Sequence, residues 1–314
     1  MKTNRNIATA AGICLLILML AADLSTGSHA DKTTMTMLRL PRAATAILAG
    51  AALALAGVQM QSIFRNPIAD PHIMGVSSGA SFGAAAAALG GTLISGWQVN
   101  AFPTAAAAVA GAAASAAVIM AAAQKVRNAA TLLIFGIMLG FMANAAVAVM
   151  QFNTDAESLK IFYNWSAGSF SYTSWNQIGI MAAATAAGYA AAAFNRKGLD
   201  ILLFGDEYAQ ACGASPRRIR LTAMLSCCLT TGITTAFCGP IGFVGIISPH
   251  IAKTILGTSS HRITLAGSML CGSIISVAAD LISQSQKLHI PVSGTMAFVG
   301  LPIIFHILLK KSEI

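Results

Sequence analysis

Charge is what this chain has least of. Only 9% of its 314 residues are Asp, Glu, Lys or Arg, where a soluble domain carries about 25%. With 56% hydrophobic residues, an ordinary water-soluble enzyme is excluded. The signatures of several chemistries are missing too. No G-x-x-x-x-G-K-[ST] occurs, the loop whose backbone N–H groups cradle nucleotide phosphates, so the chain does not bind ATP in that fashion. No H-E-x-x-H or other metal-ligand spacing occurs, and no metal or catalytic residue is expected. The six cysteines, Cys14, Cys212, Cys227, Cys228, Cys238 and Cys271, include no C-x-x-C pair. Most lie in apolar stretches and read as small reduced core residues. Ionisable groups are nearly absent from mid-span positions, and Asn144 is the most polar side chain in its span. A transporter working alone by proton coupling would bury several such groups.

What is present is a succession of apolar runs of about 16 to 22 residues, the length of a membrane-crossing helix rather than of a barrel strand. Hydrocarbon offers a backbone no hydrogen bonds, so such runs must be helical. Spans are expected near 7–22, 42–62, 74–91, 101–123, 131–151, 175–194, 220–238, 243–257, 263–283 and 293–309. The chain is therefore an all-α integral membrane protein, a polytopic bundle of about ten helices. Ala107, Gly111 and Ser115 form a small-xxx-small ladder that lets helix backbones approach. Alanine-rich helices read as interior ones. The first span begins with Lys2 and Arg5. Ser28-His29-Ala30 offers a rival reading as a signal-peptide cleavage site, but an uncleaved span agrees better with the membranous segments that follow.

The basic residues are distributed unevenly. With the N-terminus inside, fourteen of the 19 Lys and Arg fall on the inner face: Lys2, Arg5, Arg65, Lys125, Arg127, Arg196, Lys197, Arg217, Arg218, Arg220, Lys253, Arg262, Lys310 and Lys311. Lys32, Arg39, Arg42, Lys160 and Lys287 fall outside. This positive-inside bias supports an even number of spans with both termini cytoplasmic. It also explains the net charge of +9 without nucleic acid, because the cations line a membrane face.

Two stretches are too specific for plain spans or linkers. The inner loop 195–220 contains a short amphipathic helix expected over Gly205 to Ser215. Asp206 and Glu207 sit at its positive end, Gly213 suits its C-terminal cap and Pro216 blocks continuation. The segment Cys238 to Lys253 holds Gly239, Pro240, Gly242, Gly245 and Pro249, which break a regular helix and point to a translocation pathway. Asp280 and His306 read as groups reaching the outer and inner interfaces. Gly75-Val76-Ser77-Ser78-Gly79 matches the G-x-S-x-G nucleophile pattern, but opens a membrane helix rather than a strand–turn–helix. It reads as a packing surface.

Four motifs together resemble the FecCD family, the permease subunits of ABC importers for iron–siderophores, haem and cobalamin. They are R-L-P-R at 39–42, N-P-I-A-D-P-H-I-M-G-V-S-S-G-A at 66–80, G-D-E-Y-A-Q-A-C-G at 205–213 and G-P-I-G-F-V-G-I-I-S-P-H-I-A-K at 239–253. The resemblance spans nearly the whole chain. It implies a single type II importer permease domain over 1–314, with a coupling loop at 195–220. It also implies a homodimer with the pathway on its axis, two cytoplasmic ABC ATPase subunits that bind ATP and Mg, and an extracytoplasmic substrate-binding protein. The chain itself would be no enzyme, need no cofactor, and sit in the bacterial inner membrane.

By residue, the resemblance implies that Arg39, with Arg42 beside it, faces acidic groups of the binding protein. Gly205, Asp206, Glu207, Ala209 and Gly213 would fall on the coupling helices. Ala211-Cys212 departs from the family's larger apolar residue before the glycine, and Lys253 replaces a commoner arginine, losing its planar fork. Candidates for the pathway and its gates are Gly57, Asn66, Pro67, Asp70, Pro71, Gly75, Ser77, Ser78, Gly79, Gly239, Pro240, Gly242, Gly245, Pro249 and His250, with side chains after Gly57 and after Val76 expected along the path. The expected activity is ATP-driven import of an iron–siderophore or related chelate. Cobalamin or haem are the alternatives, with an ATP-independent transporter and a Ser77 hydrolase as more distant ones.

Overall fold

The computed structural model describes residues 2–25, 34–90, 101–126, 128–284 and 290–311. Ser28-His29-Ala30, Lys32, Arg127 and Lys287 lie outside the described residues, as do the side chains of Lys2, His306, Lys310 and Lys311. Among the described residues every regular element is a helix. The helices are α1 (Lys2–Ser25), α2 (Leu40–Phe64), α3 (Val76–Ala88), α4 (Ala101–Lys125), α5 (Ala129–Phe152), α6 (Ala156–Ser166), α7 (Trp175–Phe194), α8 (Arg196–Leu202), α9 (Asp206–Ala211), α10 (Pro216–Cys238), α11 (Val244–Leu256), α12 (His261–Ser283) and α13 (Val292–Lys311). Seven are long and apolar enough to cross a membrane. Helices α3, α11 and α13 bring the set to roughly the ten expected spans.

Helix α2 is the central post. In its most apolar window 83% of residues are buried, and α7, α10, α11 and α12 pack around it. Its small residues permit this: a Cβ on Gly50 would lie 2.2 Å from the Gly272 carbonyl oxygen of α12, and one on Gly57 only 1.9 Å from that of Gly245. Removing side chains replaces lipid-like contacts with close backbone packing. The expected ladder is real: Gly79 and Gly83 of α3 press against Ser115, Gly111 and Ala107 of α4.

Alanine content did not predict burial everywhere. Alanine-rich α4 is mostly exposed and buries only a strip through Ala108, Ala112, Ile119 and Ala123. Its other faces, like Phe141 and Met142 on α5, present apolar groups outward, as lipid requires. Helix α1 is tied into the bundle: Gly12 sits on Leu270, and Arg5 donates Nε to the Leu256 carbonyl at 3.0 Å, where the C-terminus of α11 favours a cation. Helices α6 and α8 were not foreseen. Asp155 starts α6 by accepting the Ser158 N–H at 2.9 Å, and backbone and side-chain hydrogen bonds from Ser158 hold its carboxyl below the ordinary range.

Candidate coupling, docking and gating sites

The loop after α7 folds into a hairpin of two short helices. Arg196–Leu202 buries Leu199 and Leu202 against the bundle. Gly205, at φ 109°, turns the chain into α9. The C-terminal cap is a Schellman motif: Gly213, at φ 76°, donates to the Gln210 carbonyl and Ala214 to that of Ala209. Ala209 is buried and fixes the inner face of α9. Glu207, Tyr208, Gln210 and Gly213 are exposed, and Phe204 stacks obliquely near Tyr208 at 5.2 Å between ring centroids. Asp206 is not part of the free face, because its carboxylate pairs with Arg220 at the base of α10. A cavity of about 660 Å³ opens between α9 and the α4–α5 turn, lined by Lys125, Asn128, Gln210 and Arg217 among others.

Two further contacts anchor the hairpin. Asn195 donates to the Ile219 carbonyl and the Thr222 hydroxyl of α10, at 2.9 and 2.7 Å. On the other side, Asp200 accepts from the backbone N–H of His261 at 2.8 Å and from its Nδ1 at 2.6 Å. Burial pushes the Asp200 carboxyl up, but these hydrogen bonds and the imidazole's charge outweigh it and leave it below the ordinary range. The far nitrogen of His261 lies 2.6 Å from Ser62 Oγ on α2. No sequence motif marked these three residues, which lie far apart in the chain.

At the opposite end of α2, Arg39 donates to the Leu24 carbonyl at 2.7 Å. Arg42 is committed elsewhere: Nε and Nη2 both reach the Asp280 carboxylate, at 2.8 to 3.0 Å. Asp280 is fully buried, with Gln284 bridging it to Asp23. The expectation that Asp280 reaches the interface is therefore corrected. Its position near a helix end did not show that a basic residue of α2 would cover it.

The two Gly/Pro motifs, far apart in sequence, meet in space. After α2 ends at Arg65 in a left-handed conformation, Asn66 Oδ1 accepts the Ile68 N–H and Asp70 Oδ1 the His72 N–H. Pro67 lies in the intervening turn, and Pro71 begins a single 3-10 turn to Met74. Gly75, at φ 78°, enters α3 against the Gly136 carbonyl. Across from it, the chain between α10 and α11 is broken, with Gly239 at φ 76° and Phe243 at φ 70°. Gly239 lies under the Trp165 carbonyl, and Gly245 rests on the Pro71 ring. His72 Nε2 donates to the Ile241 carbonyl at 2.7 Å, satisfying a group that no helix serves. Pro249 removes the N–H that Gly245 would otherwise bond; Gly57 presses onto that carbonyl instead. Gln61 donates to the Ile246 carbonyl at 3.1 Å and accepts from Lys253 at 3.0 Å.

Val58, Met60 and Ile63, after Gly57, are buried within the subunit, as are Gly75, Ser77, Gly79, Gly239, Gly245 and Pro249. In this structure these residues make helix contacts within the subunit. Ser78, Gly242, Pro240 and His250 keep partial exposure. Ser77 lies buried in the first turn of α3, which gives a nucleophile no access. A second cavity of about 490 Å³, at the same end as Arg39, is lined by Trp165, Tyr172, Asn164 and Gln177 among others.

Comparison with known proteins agrees with this architecture. The FecCD transport family model matches residues 8–310. The chain is 30% identical to the uncharacterized ABC transporter permease YvrB of Bacillus subtilis, over 88% of this chain and 79% of that one. It is also 30% identical to the vitamin B12 import permease BtuC of Salmonella paratyphi A, over 88% and 83% of the two chains. A solved inward-facing ABC transporter, assigned to the metal-chelate type, superposes with a TM-score of 0.86 at 26% identity, covering 98% of this chain and 99% of the other. The fold is that of a type II ABC importer permease, and the chain belongs to the FecCD transport family.

Proposed function

We propose that this ABC importer permease carries an iron–siderophore or similar bulky metal chelate across a bacterial inner membrane, with both termini cytoplasmic. The observation that carries the reading is a polarity of surfaces. The exposed face of α9 lies at one end of the bundle, and the Arg39 end of α2 at the other. A cytoplasmic ATPase would engage Glu207 and its neighbours, and a substrate-binding protein would dock on Arg39. The relatives named for vitamin B12 and the metal-chelate neighbour support a large substrate. The absence of ionisable side chains from most mid-span positions suits a pathway that makes few fixed polar contacts. A second copy of the chain would complete that pathway, lined from outward faces rather than from α2. ATP and Mg would be bound by the partner ATPase, so this chain acts without a cofactor or covalent chemistry.

The test is uptake into vesicles holding this permease with its ATPase and binding protein. Radioiron-loaded siderophore and labelled cobalamin would be offered in parallel. ATP-dependent uptake of the siderophore, lost in Glu207→Arg while the subunit stays in the membrane, is the expected result. Uptake of cobalamin alone would reassign the substrate. Uptake of either without the ATPase would overturn the importer reading.

A further inference from the structure

Ser62, His261 and Asp200 come together in the geometry of a hydrolase relay, with 2.6 Å on both sides of the imidazole. Nucleophilic chemistry does not follow. Ser62 is 1% exposed, and its hydroxyl also lies 2.9 Å from the Val58 carbonyl of its own helix. No substrate reaches it.

What the chain of contacts does is join three elements. Asp200 belongs to α8, the half of the cytoplasmic hairpin that holds α9. Its carboxylate takes the first backbone N–H of α12, a position where the helix end favours a negative charge, and also the His261 ring and the Ser260 hydroxyl. The ring then reaches α2. His261 and Ser62 are buried, so breaking the bond between them strands a polar group, while the Asp200 carboxylate is half-buried at the rim. The next residue back on α2, Gln61, grips the interrupted helix α11 through Ile246 and Lys253. Two consecutive side chains of α2 therefore hold the cytoplasmic hairpin on one side and the half-length helix on the other.

We propose that Asp200, His261 and Ser62 are positioning residues that form the mechanical link by which movement of the α8–α9 hairpin is passed to α2 and α12. This rests on the importer reading, in which an ATPase moves that hairpin. The link predicts that α8 and the start of α12 move as one body.

The experiment uses the full permease–ATPase complex, with exposed Cys14 and Cys212 changed to serine and spin labels at Lys197→Cys on α8 and Arg262→Cys on α12. In the otherwise unaltered chain, the distance between the labels should stay constant when ATP and vanadate trap the complex. In Asp200→Ala or His261→Phe it should change on trapping, and uptake per ATP hydrolysed should fall by about tenfold, a typical size for coupling between sites. Asp200→Asn, which keeps an acceptor oxygen, should restore the constant distance. A role confined to stability would lower assembly and hydrolysis together and leave that ratio unchanged. Should the two strong variants fail to assemble, Ser62→Ala decides, since it cuts only the contact with α2 and should lower the ratio. A label distance that changes in the unaltered complex, or stays constant in assembled Asp200→Ala and His261→Phe, or an uptake ratio in Ser62→Ala equal to the unaltered one, overturns the link. Failure of the importer reading looks different: no ATPase copurifies with the unaltered chain, and the link falls with it.

Discussion

Arg42 and Asp280, 238 residues apart in sequence, close a two-toothed ion pair at the end of the bundle away from the α8–α9 hairpin. The carboxylate is fully buried and the guanidinium a quarter exposed. Removing one partner strands the other charge, at a cost of about 3–5 kcal/mol in a buried pair. Asp280→Ala is expected to lower the melting temperature in detergent sharply. The double change Arg42→Met with Asp280→Leu should recover much of the loss, because well-packed apolar groups often replace a buried pair without penalty. Thermal melts of the three proteins check this.

Arg39 has a different prospect. It donates a hydrogen bond to a backbone carbonyl and, among the described residues, closes no direct ion pair, although the buried Asp23 carboxyl feels its charge. Arg39→Glu should leave the melting temperature nearly unchanged. It should slow capture of the binding protein by about tenfold or more at low salt, the effect fading as salt screens it. Association rates at two ionic strengths distinguish this from Arg42→Ala, which should act on stability first.

Gly57→Ala places a methyl 1.9 Å from the Gly245 carbonyl oxygen. That neighbour is backbone and cannot swing aside, so α2 and α11 must part. Overpacking of this kind costs about 1–3 kcal/mol or more. Folded yield and melting temperature should both drop, whereas Gly213→Ala, where the added methyl meets nothing within 4 Å, should show only the milder strain of a positive φ.

Asp200 sets a pH dependence with a definite sign. Its folded pKa lies below the ordinary 3.8. The stability it contributes is therefore fully present above that ordinary value, and disappears as acid carries the pH down through the lowered one. Melting temperatures of the unaltered chain and Asp200→Asn should differ by a constant amount near neutrality and converge only in strong acid. Convergence already near pH about 6 would contradict the assignment.

Periodic and local features of this protein were legible in its residues. Each of the ten expected spans announced itself by an apolar run, the ladder at Ala107, Gly111 and Ser115 found its partner in α3, and Gly213 ended α9 as its conformational freedom suggests. Asp206 was correctly placed in the first turn, yet its partner Arg220 was not foreseen. The same holds for Asp280 with Arg42, and for Asp200 with His261 and Ser62. Local spacing shows which side chains share a helix face. It does not show which distant helix that face meets, and polar side chains in a membrane protein are decided by that meeting. Helix α8, with seven residues, is too short to build a periodic pattern, and the eleven-residue α6 lies between two expected spans, outside the apolar runs that marked the others.

The hydrogen bond from His72 to the broken chain at Ile241 also bears on the order of assembly. Synthesis delivers the 66–75 turn well before 239–245 leaves the ribosome. When that glycine-rich stretch enters the bilayer, its donor is already in place, so the exposed carbonyl need not wait in hydrocarbon, where an unserved group costs several kcal/mol. A circular permutation that made residues 239–253 first would reverse the schedule. It would leave every native contact available at equilibrium and still strand this segment at birth.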